Sequence, residues 1–265
     1  MSQNVVEIKE EPGDPLGGGS GEKRHFTVKF IGKTNNPKFP FTIANEVVAT
    51  QIGLALGLNL PTVITYTVGN EPIVLIQLLN RDPGMQAPPP ATAAKLKTYV
   101  GAHTDEVHGA IVFDLYVANN DRAFGPQRRN VMLNDQDKLV LFDQGNACFY
   151  RPRSTAGILA GLSRLDAVER SLSAMFDMDH KGNHYREFLT EWQYVEKWCE
   201  RIRALPDFLI EAAVGRIPVN LARPDDAERR RLLEFLLSRR AYLFDQILEN
   251  RSYFPELPKR KRRRS

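Results

Sequence analysis

Asp121, Asn130 and Asp143 are the residues whose types and spacing could do chemistry in this chain. They fall in one stretch, FDLYVANNDRAFGPQRRNVMLNDQDKLVLFDQGNACF, from Phe113 to Phe149. Asn119-Asn120-Asp121-Arg122 breaks an apolar run that contains Phe113, Leu115, Tyr116 and Val117. Two short apolar runs come next, Val131 to Leu133 and Leu139 to Phe142, joined by Asn134-Asp135-Gln136-Asp137, which is a hairpin signal. A hairpin brings its two ends together, so Asp121, Asn130 and Asp143 are expected to meet. Gly145 is expected to let the backbone turn sharply after Asp143. Two carboxylates and an amide oxygen suit phosphoryl transfer: one carboxylate accepts the proton of an attacking hydroxyl, and the other joins the amide in holding Mg²⁺ on nucleotide phosphates. The same residues also suit an Asn/Asp-rich surface loop before a hairpin, and the rest of the chain decides between the two.

The elements that must position these groups are legible on either side. Val5 to Lys9 alternates weakly, as a strand would. Gly13 to Gly21, GDPLGGGSG, includes Gly18, Gly19 and Ser20, and Phe26 to Phe30 then alternates as a strand. Strand, Gly-rich turn and strand make a flap whose backbone can approach phosphates, although a flexible linker has the same composition. Lys29 lies inside FTVKF, either on a solvent face or gripping phosphates. Phe41 to Gly57 predicts a helix, with Val47, Val48, Ile52, Ala55 and Leu56 on one face and Glu46 near its start. Glu46 is placed to hold Lys29, or merely to favour the helix dipole. Thr62 to Val68 and Pro72 to Leu79 read as strands joined by Gly69-Asn70, and Gln77 and Leu79 would lie beside an adenine. DPGMQAPPP, Asp82 to Pro90, interrupts the apolar pattern and marks a boundary. Beyond it the chain is helical: Glu106 to Ala118, Leu165 to Phe176, Tyr185 to Leu205 and Ala227 to Glu249. Arg229 to Arg231 and Arg239-Arg240 in the last segment read as a solvated face.

Composition narrows the class. The 265 residues carry 42% hydrophobic and 26% charged residues, ordinary for a soluble protein with a sizeable core. No apolar run is long enough to span a membrane, and the N-terminus lacks the regions of a secretory signal. Cys148 and Cys199 make no metal pattern, and the expected setting is reducing and cytoplasmic. The histidines do not pair at metal-binding spacing, and Ser154 and Ser163 have no nucleophile-elbow context. The net charge of +4 misleads, because Lys259 to Arg264 contributes six cations and the remainder carries 30 basic against 32 acidic residues. That tail is where a nucleic acid or acidic partner would bind.

In order, the chain offers a Gly-rich flap, a strand lysine, a helix glutamate, a hinge, a helix, an NNDR loop, a strand-edge Asn and an Asp-x-Gly. This order resembles the HipA-like kinases, particularly the small single-domain bacterial type. It is more distantly similar to phosphatidylinositol kinases and protein kinases. The resemblance rests on VKF around Lys29, on ANEVVATQIGLALGLNLP from Ala44 to Pro61, on NNDR from Asn119 to Arg122, and on LVLFDQG from Leu139 to Gly145. It implies an α+β, protein-kinase-like fold with a β-rich N-lobe at 1–81 and a Pro-rich connection at 82–91. A helical C-lobe at 92–254 and a basic, disordered tail at 255–265 would complete the chain. It also implies an ATP- and Mg²⁺-dependent kinase acting on a hydroxyl of protein Ser or Thr. Lys29 would orient phosphates, Glu46 would hold Lys29, Asp121 would be the base, and Asp143 with Asn130 would hold the metal. Two departures mark this chain. Ala123 stands where the family has His, and Pro126 stands where it has the metal-binding Asn, which moves that role to Asn130. A nucleotide-binding pseudokinase acting as a scaffold or regulator is the alternative.

Overall fold

Strand register decides which residues of the N-terminal third face the rest of the protein. In the computed structural model, the described residues are 5–6, 30–77, 93–119, 121–122, 130–134, 136, 138–149 and 187–259. Strands β1 (Val5–Val6), β2 (Phe30–Lys33), β3 (Val63–Val68) and β4 (Glu71–Gln77) form an antiparallel sheet in the order β1-β2-β4-β3. Gly69 and Asn70 make the two-residue turn between β3 and β4, with Gly69 at φ 61°. A positive φ at the first turn position is the place where glycine carries no steric cost. Side chains alternate across the sheet, so Val74 and Ile76 share one face with Lys33, which pairs with Val74.

Helix α1 (Thr42–Ala55) covers that face. Ile43 and Val47 pack on Val74 and Ile76, while Ala44, Val48, Ala49 and Ile52 belong to the large helical core. Two faces of α1 are thus buried against different neighbours, and the helix joins the two cores. Its start is fixed from outside, because the Asn35 side chain accepts the Ile43 N–H at 2.9 Å. Packing thus crosses the Pro-rich connection expected at 82–91, whose residues lie outside the described set.

The helical part comprises α2 (Ala93–Ala102), α3 (Thr104–Val117), α4 (Trp192–Arg203), α5 (Asp207–Gly215) and α6 (Asp226–Glu249). The hairpin of β5 (Val131–Leu133) and β6 (Leu139–Leu141) also sits there, with Val131 opposite Leu141. Helix α3 is the axis: every residue from Val107 to Val117 is buried. Helix α4 crosses it where Gly109 leaves room for the Trp198 indole, since a Cβ at that position would lie 2.3 Å from the ring. Helix α5 packs on α1 and α6. Neither α2 nor α5 is expected from the sequence pattern. The segment predicted to begin at Tyr185 becomes helical only at Trp192, and the one predicted at 165–176 lies outside the described residues.

Two expectations are corrected by packing. The arginines of α6 are not simply a solvated face. Arg239 is 3% exposed and donates to the Leu115 carbonyl at 3.0 and 2.8 Å, beside the negative end of α3. Burial lowers its pKa to about 9. Arg229 donates to the carbonyls of Pro224, Ile217 and Pro218, and Arg240 reaches Asp207 and the Leu205 carbonyl. Near the C-terminus the packed chain runs past residue 254. Leu257 is fully buried, and Trp192 Nε1 donates to the Pro258 carbonyl at 2.7 Å.

His108 ties the start of α4 to α3. Its Nδ1 lies 2.6 Å from the Thr104 carbonyl, and its Nε2 accepts the N–H groups of Thr190 and Glu191 at 3.0 and 3.1 Å. The ring is therefore neutral, with the proton on Nδ1. Burial holds its pKa below the ordinary 6.5, against the weaker pull of the Thr104 carbonyl, Glu191 and Asp105. A depressed folded pKa means that His108 contributes stability fully above 6.5 and loses it as pH falls below that value. Wild-type unfolding free energy should fall between about pH 7.5 and about pH 5.5, the range that brackets the ordinary imidazole pKa, and His108→Gln should flatten that fall. Urea titrations across the series check this, and equal slopes would remove His108 as the cause.

Candidate active site

Arg122 is the centre from which the site is built. It is fully buried, and its guanidinium is shared among five acceptor oxygens. Nε and Nη2 meet the Asp114 carboxylate at 2.6 and 3.2 Å, and Nη2 also donates to Gln144 Oε1 at 3.0 Å. Nη1 donates to the carbonyls of Phe142, at 3.2 Å, and Asn130. One side chain therefore joins α3, the start of the hairpin and the turn that leaves it. The planar fork of arginine suits this and an ammonium would not.

Around that centre the structure brings Asp121, Asn130 and the Asp143 turn together. Asn130 Nδ2 donates to the Asp121 carbonyl at 2.8 Å and lies 3.4 Å from Asp121 Oδ2. With its amide hydrogens spent there, Oδ1 of Asn130 is the atom left for a cation. Asn146 Nδ2 donates to Asp121 Oδ2 at 2.9 Å. Asn119 bridges the two segments: its Oδ1 accepts the Asp121 N–H at 3.1 Å, and its Nδ2 donates to Gln144 Oε1 at 3.0 Å.

The turn after β6 is bent differently from the sequence expectation. The left-handed residue is Asp143 itself, at φ 55°, and Gly145 is not at positive φ. Asparagine and aspartate tolerate this region better than most residues. Ala118, Asn130 and Cys148 share it, so all four positive-φ non-glycine residues among those described lie in or beside this site. Such strain costs about 1–3 kcal/mol per residue and persists only where its surroundings over-determine it. Here α1 does so. Glu46 Oε2 accepts the Gln144 N–H at 2.9 Å, Asn45 Nδ2 donates to the Gly145 carbonyl at 2.9 Å, and Asn45 Oδ1 accepts the Phe149 N–H at 3.3 Å.

The lysine that meets Glu46 is Lys33. Its Nζ lies 2.6 Å from Glu46 Oε1 and 2.9 Å from Asp143 Oδ1. Burial works to lower the Lys33 pKa, but the two carboxylates outweigh it and hold the ammonium above its ordinary value. Burial likewise works to raise Asp143, and Lys33 outweighs it, so that carboxyl is held below its ordinary value. Burial holds the Glu46 carboxyl above its ordinary value, against the pull of the Lys33 ammonium. The Asp143 carboxyl, held low by Lys33, is therefore the charged member of the pair at neutral pH. Glu46 is 1% exposed and Asp143 38%, so Asp143 is the member of the pair that a ligand can reach.

Lys29, Gly18, Gly19, Ser20 and Leu79, all named from the sequence, lie outside the described residues. Gln77 sits at the end of β4 opposite Phe30, with its N–H on the Thr62 carbonyl at 2.9 Å. Sequence reasoning missed Lys33, Asn45, Arg122 and Asn146. The available signal for Lys33 was strand parity, because positions 29 and 33 share a face in an extended chain. No group of three His, Cys, Asp or Glu residues that could hold a metal occurs among the described residues. An Asp and an Asn are nonetheless sufficient protein ligands for Mg²⁺ when phosphates supply the rest, and the oxygen donors of Asp143 and Asn130 fit that ion. Among the described residues, no helix is long and apolar enough to cross a membrane.

No protein-family model matches the chain, and no curated protein matches it. Among solved structures, it is similar to the Helicobacter pylori proinflammatory kinase CtkA, with a TM-score of 0.54 and 15% identity over 95% of this chain and 97% of that one. It also aligns with HipA of the Shewanella oneidensis MR-1 toxin–antitoxin system, solved with HipB and operator DNA. There the TM-score is 0.44 and the identity 12%, over 83% of this chain and 59% of that one. At 15% identity, the CtkA likeness shows a shared fold. The chain is a mixed helix-and-sheet fold similar to that of this kinase.

Proposed function

We propose that the protein is an ATP-dependent phosphotransferase with a two-lobed kinase layout that acts on a hydroxyl of protein Ser or Thr. The observation that carries this reading is the Lys33–Glu46–Asp143 triad beside an Asp121 carboxylate held by two asparagine amides. Each group has one task. Lys33, fixed by Glu46, neutralises nucleotide phosphates. Asp143 and Asn130 would hold Mg²⁺, which when bound offsets charge on the phosphates. Asp121 accepts the proton as the acceptor oxygen bonds to the γ-phosphorus. The bond from that phosphorus to the β–γ bridging oxygen breaks, and ADP leaves. Placing the hydroxyl and the phosphoryl group in line is the main source of rate, because little other covalent chemistry is required.

The assignment of the lysine is tested by ligand-induced stabilisation. A ligand that binds the folded state and is present at about 100 times its Kd adds about 2.7 kcal/mol, so Mg²⁺ with ATP should raise the melting temperature. Lys33→Ala should abolish most of that rise and Lys29→Ala should keep most of it. The reverse pattern would return the role to Lys29, and no rise with any purine nucleotide would remove the nucleotide reading.

A further inference from the structure

We infer that Asn146 is a positioning residue for the Asp121 carboxylate, fixing the base from the turn that also carries Asp143. This rests on the phosphotransferase reading and adds a residue to the same site. Asp121 comes after α3 on a short polar segment, and side chains on such segments have rotamer freedom that the reaction must remove. Two amides remove it from opposite directions in the chain. Asn130, at the start of the hairpin, is committed mainly to the Asp121 backbone, at 2.8 Å against 3.4 Å for the carboxylate. Asn146 reaches the carboxylate itself, at 2.9 Å. It is thus the better-formed of the two side-chain bonds on Oδ2.

Asn146 is itself held. It lies in the turn that α1 grips through Gln144, Gly145 and Phe149. The amide is also the chemistry that this place permits. An aspartate there would set a second carboxylate against Asp121, and like charges in contact repel. A neutral donor orients the base without competing for its proton, as a cation could. The turn thereby serves both halves of the reaction: Asp143 faces the nucleotide and Asn146 sets the base. A misplacement of about 1 Å in such a constellation can cost about 10²-fold in rate.

The experiment measures steady-state transfer to a fixed acceptor, across a Mg²⁺ titration up to saturation, for wild type, Asn146→Ala and the isosteric Asn146→Asp, each first checked for an unchanged melting temperature. We expect kcat to fall about 10- to 100-fold in Asn146→Ala, with the KM for ATP within about twofold of wild type. Asn146→Asp should be no better, although its shape is kept. The same substitution made in Asp121→Ala should leave the residual rate unchanged, because a residue that acts through Asp121 has nothing left to orient. An unchanged kcat in Asn146→Ala would overturn the inference and leave the phosphotransferase reading standing. So would a further loss in the Asp121→Ala background, or a defect that higher Mg²⁺ repairs, which would make Asn146 a metal ligand. Failure of the wild type to transfer phosphate would overturn both.

Discussion

Asp121→Ala is expected to lose about 10²–10⁴-fold in kcat, the usual worth of a positioned general base. ATP affinity should stay within about twofold of wild type, since a loss confined to the transition state lowers kcat without a matching change in binding. The split arises from where the groups sit. Asp121 is bonded to Asn130 and Asn146, whereas Lys33 is bonded to Glu46 and Asp143. These partners differ, and Asn130, which would also hold Mg²⁺, is the residue that the two halves share. Lys33→Ala should weaken ATP binding as well as rate, while Asp121→Ala should touch rate alone. ATP titration beside single-turnover transfer reads both quantities. Equal loss of binding in the two variants would show that Asp121 serves the nucleotide and not the acceptor.

Arg122→Leu is expected to lower the unfolding free energy by about 3–5 kcal/mol, because it leaves the buried Asp114 carboxylate without its cation. Both side chains are fully buried, so no water screens the loss. Whole-protein stability is typically about 5–15 kcal/mol, and one substitution would consume a large share of it. Asp114→Leu combined with Arg122→Leu should recover part of the loss, since two apolar side chains leave no unpaired charge. Transfer should stay low in the double variant, because the ties to Gln144, Phe142 and Asn130 are gone. Urea unfolding of the two variants checks this. A change below about 1 kcal/mol in Arg122→Leu, the level of an exposed ion pair, would mean that the pair contributes little.

The sequence carries much of this site because its residues are named by type and flanked by strong local signals. Asp143 comes directly after an apolar run, Asp121 lies in the polar break after an apolar helix, and Glu46 lies near the start of a helix whose apolar positions recur. The residues that bind the site together carry no such signal. Arg122 looked like one more polar residue in NNDR, yet it is fully buried because Asp114, on the preceding helix α3, and three carbonyl or amide oxygens surround it. Asn45 and Asn146 act on backbone groups and on a carboxylate brought near by tertiary packing, and no periodicity announces that. Positions 29 and 33 have the same parity in an extended chain. What brings Lys33 to Glu46 is the register of β2 against β4 and the place where α1 begins, and no sequence pattern shows either. The boundary drawn at the Pro-rich segment marks a change in composition, but α1 buries one face on the sheet and another in the helical core. Helix α5 was missed because Leu205-Pro206 reads as a stop, whereas Pro206 is the residue just before the helix.

The central claim is that this geometry transfers phosphate, and the direct measurement traces label from the γ-phosphate of ATP into protein in the presence of Mg²⁺. The wild type should label itself or a lysate protein on Ser or Thr, and Asp121→Ala should bind ATP and label about 10²–10⁴-fold more slowly. A wild type that binds ATP tightly and labels no acceptor would contradict the claim. It would make the protein a nucleotide-binding regulator, in which the longer segment between Asp121 and Asn130 separates binding from transfer.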